Sequence, residues 1–404
     1  MKVVQINAVC DTGSTGRICR ELNDELIQRG HEGLILYGNG YSEYEFAHKV
    51  SGKYEVKLHG LLSRVLGKNA AYSPLSTGKI IGILKAYQPD IVHLGNLHGN
   101  YVTLKPLLRY LAKQDIPTVL TLHDCWFFTG KCTHYTVAGC NRWQTGCHHC
   151  PRRLVDIPSW FFDRTEEMWR EKRDLFAAIP RLAVISVSDW ITHEAEQSFL
   201  KEALIRQRIY NWVDLSVFYP RGKEGTGCVP VSEDKFSVLC VSAGWKQETS
   251  KTKDLLALAQ LLPEDYEIIL AGRVPFADKL PSNIKVVGYL SSAEALAKLY
   301  SACDVYVHLS REDTFGKVIA EALACGTPAV VYGSTACPEI LGPGCGYAVD
   351  VGDVISVCQG IQRIRQKTKE AYSKCCTEYA RANFAKEKLV EDTLELYKRL
   401  IGSK

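Results

Sequence analysis

Asp313 and Glu321 stand on either side of a Phe315-Gly316-Lys317 step, in the stretch SREDTFGKVIAEALACGTP that runs from Ser310 to Pro328. Two carboxylates at that spacing, one on a loop and one on a helix, cannot share a single proton as a close acid pair does. They can instead accept hydroxyl groups at two ends of one long polar ligand. Gly316 lets a ligand approach the backbone, and the first amides of a helix starting there have no intrahelical partner, which suits a diphosphate. A nucleotide sugar presents both kinds of group. The alternative is an acidic helix start that only complements the helix dipole.

Other chemistry-bearing residues are spread along the chain. Lys251, in ETSKTKDLLALAQLL, falls at a helix start, where an ammonium would neutralise the charge building on a departing diphosphate. Lys246 and Lys253 are the other cations in reach, and the alternative is a solvated lysine cluster. Gly13, Gly16 and Arg17 form a glycine-rich strand-to-helix turn able to admit phosphate or acceptor. His98 and His123, the latter followed by Asp124, end apolar strands; the alternative for each is a structural histidine.

Cys125, Cys132, Cys140, Cys147 and Cys150 crowd into 26 positions with His134, His148 and His149. Cys147 and Cys150 have zinc-knuckle spacing, so we expect a structural zinc on Cys132, Cys140, Cys147 and Cys150. Plain packing or a disulfide is the alternative. Two further stretches, KLHGLLSRVLGK from Lys57 to Lys68 and PSWFFDR with Trp160, Phe161 and Phe162, mix apolar and basic residues. Either suits a membrane headgroup boundary, with ordinary core-facing surfaces as the alternative.

The elements that must position these residues alternate. Strands are expected at 2–9, 33–37, 91–94, 118–122 and 182–187, with helices at 16–30 and 104–113. The second half restarts at 236–242 and continues with strands at 267–271, 284–287, 305–308 and 329–332 and a helix at 317–324. That rhythm predicts an α/β chain of two doubly wound parallel sheets, with sites at the strand C-termini. A Gly- and charge-rich stretch at 219–227 reads as a linker, and residues 386–401 as a last amphipathic helix.

The chain has 404 residues, 46% hydrophobic and 23% charged, with a formal net charge of +4. That is enough for two ordinary cores and weak support for any particular partner. No run approaches the ~20 apolar residues of a spanning helix. The N-terminus lacks a cationic region followed by a long apolar core, so a cytoplasmic protein is expected, one that can sit peripherally on the inner face of the membrane. The 16 cysteines then read as reduced thiols. Nucleic-acid binding would need a basic stripe beside the cysteines. Only Lys131, Arg142, Arg152 and Arg153 are near, so no nucleic-acid partner is expected.

With Phe-Gly between the two acids and Gly326-Thr327-Pro328 after them, the pattern resembles the signature of glycosyltransferase family four. The family usually has Glu where Asp313 stands, which bears on the donor sugar. NWVDLSVFYP (Asn211 to Pro220) is similar to the family's hinge, with Trp212 in place of Gly. GSTGRICRELNDELIQRGHE, QPDIVHLGNLHGNY and TLHDCWFFTG are similar to first-domain segments. With Gly-Ser-Thr-Gly near the start and a cysteine-rich insert, the chain resembles the bacterial capsule and exopolysaccharide transferases.

The resemblance implies the GT-B fold, two Rossmann-like doubly wound domains facing across a cleft. It places a first domain at 1–212, a nucleotide-sugar domain at 213–385 and a helix at 386–404 crossing back to the first. It implies a retaining, metal-independent transfer from a UDP- or GDP-type sugar to a saccharide acceptor, lipid-linked through a polyprenol. Lys251 and Asp313 would serve catalysis with His123. Gly16, Arg17, Lys246, Lys253, Gly272, Arg273, Tyr289, Leu290, Thr314, Phe315, Gly316, Lys317 and Glu321 would bind the donor, and His98 and Asp124 would face the acceptor. Thr252 replaces the family's usual Gly, and an upstream Arg is missing. A nucleotide-sugar-binding protein without transfer is the rival reading.

Overall fold

The computed structural model describes residues 1–222 and 231–403. The chain divides into two compact units, Met1–Ile209 with Val390–Lys404, and Tyr210–Leu389. Most of the expected linker, 223–227, lies outside the described residues.

The first unit holds a seven-stranded sheet built from β1 (Lys2–Val9), β2 (Glu32–Asn39), β3 (Ala47–Lys49), β4 (Ile91–Leu94), β5 (Thr118–Leu122), β6 (Leu182–Ser186) and β7 (Ile205–Arg208). Its strand order is β3-β2-β1-β4-β5-β6-β7. The second unit holds β8 (Phe236–Gly244), β9 (Tyr266–Arg273), β10 (Ile284–Gly288), β11 (Val305–His308), β12 (Ala329–Tyr332) and β13 (Gly346–Val349), in the order β10-β9-β8-β11-β12-β13. Every ladder is parallel. β4, β5, β6, β11 and β12 are buried at every position, so both faces of each sheet are covered. That is why these strands read as continuous Val, Ile and Leu runs without alternation.

Helices connect the strands. In the first unit they are α1 (Gly13–Gln28), α2 (Lys53–Leu66), α3 (Pro74–Tyr87), α4 (Leu104–Lys113), α5 (Thr165–Ala177) and α6 (Asp189–Glu196). In the second they are α7 (Ser250–Leu261), α8 (Ala293–Ala302), α9 (Lys317–Ala324), α10 (Cys337–Leu341), α11 (Val354–Lys367) and α12 (Lys369–Phe384). The side chains of Thr249, Ser292 and Asp353 cap α7, α8 and α11 by accepting from the amides of Thr252, Ala295 and Ser356. Each such cap contributes about 1 kcal/mol. The last helix, α13 (Lys386–Gly402), belongs to the first unit from Val390 onward.

Residues 42–69, which include the stretch from Lys57 to Lys68, are ordered. They contain β3 and α2, and Glu55 of α2 accepts from the amides of Leu75 and Ser76 at the start of α3.

Candidate functional site

Each sheet reverses its strand order once, between β1 and β4 in the first unit and between β8 and β11 in the second. At such a switch point, neighbouring strands send their following chain in opposite directions and leave a crevice at their C-terminal ends. The sequence-predicted residues fall on the chain just after these and adjacent strand ends.

In the second unit, Lys251 lies in the first turn of α7. Its Nζ donates to Ser242 Oγ at 2.7 Å and stands 4.3 Å from the Trp245 ring centroid. Burial pulls its pKa below the usual lysine range, while Cys240 and Asp313 oppose that pull. Lys251 and Asp313 therefore share one electrostatic neighbourhood. Lys246 and Lys253 do not join them. Both are exposed; Lys253 lies 3.9 Å from Glu248, and Lys246 offers its carbonyl to the Thr252 hydroxyl at 2.8 Å. Thr252, at the position where a glycine is usual, is fully buried and so serves the cap of α7.

The loop from β11 to α9 is tied together by Asp313. Its Oδ1 accepts from the Gly316 amide at 2.9 Å and the Phe315 amide at 3.3 Å, and its own amide donates to Thr335 Oγ1 at 2.9 Å. Its Oδ2 lies 3.3 Å from His308 Nε2, close enough to attract but not aligned as a hydrogen bond. Gly316 has φ +77°, and a Cβ there would meet Ile319 Cδ1 at 2.9 Å, so this junction favours glycine on both counts.

Lys317 opens α9, and Glu321 follows one turn later with 5% exposure. The Tyr300 hydroxyl donates to Glu321 Oε2 at 3.4 Å. Thr314 is buried beside this loop. The Phe315 ring is buried against Tyr210 and Phe384, with centroids 5.8 and 5.6 Å away. Its ring is thus a packing anchor rather than a surface for ligand, stabilising the loop by roughly 2–3 kcal/mol.

At the end of β9, Gly272 has φ +132°, and a Cβ there would fall 2.0 Å from the Ser242 carbonyl oxygen. Arg273 stacks over the exposed Tyr289 ring at 4.7 Å, and Leu290 follows. Sequence reasoning missed a neighbouring set in which Asp254 Oδ2 accepts from Arg311 at 2.8 Å and from the Tyr332 hydroxyl at 2.9 Å. No spacing could reveal it, because its members come from three separate elements.

In the first unit, Gly16 packs its backbone against the β1 turn: a Cβ would lie 3.2 Å from the Asp11 amide. Arg17 is half-buried at the start of the second turn of α1. Asp11, with φ 63°, accepts from Arg20 at 2.8 Å and from Ser42. His98 and Asp124 come together, Nε2 to Oδ2 at 2.8 Å, and the Trp126 amide donates to Asp124 Oδ1 at 2.8 Å. Burial pushes the Asp124 carboxyl up, but His98 and the amide outweigh it, and the net shift is downward.

His123 directly follows β5, half-buried. It borders His93, which sequence reasoning did not select. His93 is locked between Thr121 Oγ1 at 2.6 Å and the Tyr397 hydroxyl of α13 at 2.5 Å. Burial, then the charge of His123, pushes its pKa down to about 3.

The cysteine-rich segment packs around aromatic rings. Trp126, Phe127, Phe128, Tyr135 and Trp143 are buried, with Trp143 centred 5.0 Å from both Phe128 and Tyr135. Cys132, Cys140, Cys147 and Cys150 line one small cavity of about 20 Å³. The Gly130 amide donates to Cys147 Sγ at 3.2 Å. A hydrogen bond from the Cys132 thiol holds Cys150 below the usual thiol range. Among the described residues all cysteines are free, and no group of three His, Cys, Asp or Glu stands at metal-holding spacing.

Comparisons with known proteins bear on the whole chain. Residues 15–217, half of it, match the profile described as Glycosyltransferase Family 4, and residues 238–383 match Glycosyl transferases group 1. A putative colanic acid biosynthesis glycosyl transferase, WcaC of Escherichia coli K12, is 24% identical, covering 99% of this chain and 100% of that protein. Sucrose-phosphate synthase from Thermosynechococcus elongatus superposes with a TM-score of 0.72 at 17% identity, covering 100% of both chains. Alr3699/HepE of Anabaena, solved with UDP and glucose, gives 0.63 at 17% identity, covering 99% of this chain and 100% of its own.

Proposed function

Because this chain belongs to Glycosyltransferase Family 4 and has two Rossmann-like parallel-sheet domains of the GT-B type, we propose that it moves a sugar, with retention, from a nucleoside diphosphate to a saccharide hydroxyl. The pathway we assign is surface polysaccharide biosynthesis with a lipid-linked acceptor, in keeping with the colanic acid relative. The observation that carries the donor reading is that Lys251 and Asp313 share one electrostatic neighbourhood, with Asp313 tied to the Gly316 amide at the start of α9.

In this reading the diphosphate lies against the α9 amides and the Lys251 ammonium. Both stabilise the negative charge that develops as the bond to the sugar breaks. The departing phosphate oxygen takes the acceptor hydroxyl's proton, so no protein nucleophile and no metal are needed. Glu321 accepts from the ribose, and Arg273 stacked on Tyr289 borders the base. HepE, solved with UDP and glucose, supports a nucleoside diphosphate as the ligand class.

The test is thermal unfolding of wild type and Glu321→Ala with UDP, GDP, ADP and CDP. A ligand at about a hundred times its Kd adds about 2.7 kcal/mol to the state that binds it. One nucleotide should shift the wild type and not the variant; no shift with any of the four would refute the site. Asp313 favours a second reading, binding without transfer, because its carboxylate already holds loop amides. Release of free sugar or transfer to acceptor decides between them.

For the cysteine-rich segment we carry forward a structural zinc on Cys132, Cys140, Cys147 and Cys150, supported by their shared cavity. The thiols would have to draw together from the spacing they hold here. Metal analysis of gently purified protein should find about one zinc per chain; less than a few tenths leaves packing by the aromatic cluster as the account.

A further inference from the structure

Helix α2 is built inside out. The side it buries carries His59, Gly60 and Ser63, and His59 is held there by Ser73 Oγ at 2.6 Å. The side it exposes carries Tyr54 at 86%, Leu58 at 54% and Leu61 at 49%. A surface helix of a soluble domain normally turns its apolar stripe inward. Here the stripe faces out, and Lys57 and Arg64 share the exposed face. The one acid of the helix, Glu55, is turned aside to the amides of α3.

The second apolar stretch adjoins the first. The Trp160 amide donates to the Arg64 carbonyl at 2.7 Å, and Gly67 passes so close that a Cβ would meet the Phe162 carbonyl oxygen at 2.6 Å. Trp160, Phe161 and Phe162 are 47%, 68% and 49% exposed. Their loop is braced from behind. The Lys131 ammonium donates to the Arg153 and Ile157 carbonyls, each at 2.6 Å, and Arg153 donates to the Ser159 and Trp160 carbonyls. The rings are therefore presented by a held loop, at the C-terminal end of α2.

We propose that α2 and the 160–162 loop form one docking surface for an anionic lipid bilayer. The leucines and aromatic rings enter the headgroup boundary while Lys57 and Arg64 meet lipid phosphates. Protein-protein interface cores are depleted in lysine, whereas here Lys57 lies beside Leu58 and one turn from Leu61 on the same face. That argues for lipid over a second copy of this chain. The surface lies wholly in the first unit and does not depend on how the second unit binds a nucleotide.

Sedimentation with phosphatidylglycerol vesicles tests it, using wild type, Leu58→Asn with Leu61→Asn, and Trp160→Ala with Phe161→Ala. The wild type should pellet with these vesicles, less so at high salt and not with phosphatidylcholine alone. Either variant should bind at least about tenfold more weakly, while still unfolding in a cooperative thermal transition, because the replaced side chains are half exposed and outside the core. Wild type left in the supernatant, or variants that bind equally, would overturn the proposal. So would light scattering that finds a wild-type dimer broken by the same substitutions, because the face would then be a subunit contact.

Discussion

At the scale of single residues, the three lysines near the start of α7 are told apart by burial. Lys251→Ala should lower kcat by about 10²–10³, as loss of one charge-stabilising group does elsewhere, while Lys253→Ala leaves turnover near wild type. Steady-state kinetics on a common acceptor, with melting to confirm folding, separates them; equal effects would remove Lys251 from the mechanism. The placement of Asp313 on a loop and Glu321 on the helix after it was legible because both lie within one strand-loop-helix unit. The Arg311, Asp254 and Tyr332 set was not, since Asp254 lies 57 and 78 positions from its partners. Phe315 misled for the opposite reason: it sits in the motif, yet the core beside Tyr210 and Phe384 claims its ring. Sequence spacing places a side chain near a site without saying which way it turns.

At the scale of elements, the buried central strands were legible because a fully covered parallel strand is a continuous apolar run. β3, β7 and β13 were not, being short edge strands of mixed or glycine-containing composition. α2 escaped notice as a helix for the same reason that makes it unusual, an apolar stripe with no core to face. Two buried imidazoles link elements and give acid sensitivity. His93 joins β4, β5 and α13, and burial of His59 lowers its pKa to about 4. Above pH ~6.5 both are neutral whether folded or not, so neither costs anything. As pH falls below that value the unfolded chain takes up protons that the folded chain refuses, and stability is lost down to the folded pKa values of about 3 and about 4. Each contributes a slope of up to about 1.4 kcal/mol per pH unit. Denaturant titrations between pH 7 and 4 should show His93→Gln with a shallower loss than wild type; an identical slope would mean that His93 is protonated in the fold.

At the scale of the whole molecule, the two units are each built on their own sheet. Calorimetry with a bound nucleotide should therefore raise the transition of Tyr210–Leu389 selectively. A uniform shift would mean that the units unfold as one. The two-sheet architecture was legible from the restart of the strand rhythm after residue 235, because each parallel sheet repeats the same strand-helix alternation. Which unit owns the last helix was not, because that depends on contacts such as Tyr397 with His93, 304 positions away.

That ownership has a consequence for how the protein is made. Since domains fold in order as they leave the ribosome, residues 1–209 emerge before the second unit, yet the stretch that completes their unit, Val390–Lys404, is translated after it. Until then His93 lacks its tyrosine, and the seat of Leu394, Tyr397 and Leu400, all at most 1% exposed in the finished fold, stands open. The first unit waits, unsealed, through the synthesis of the second, and that interval is when a chaperone would have the most apolar surface to hold.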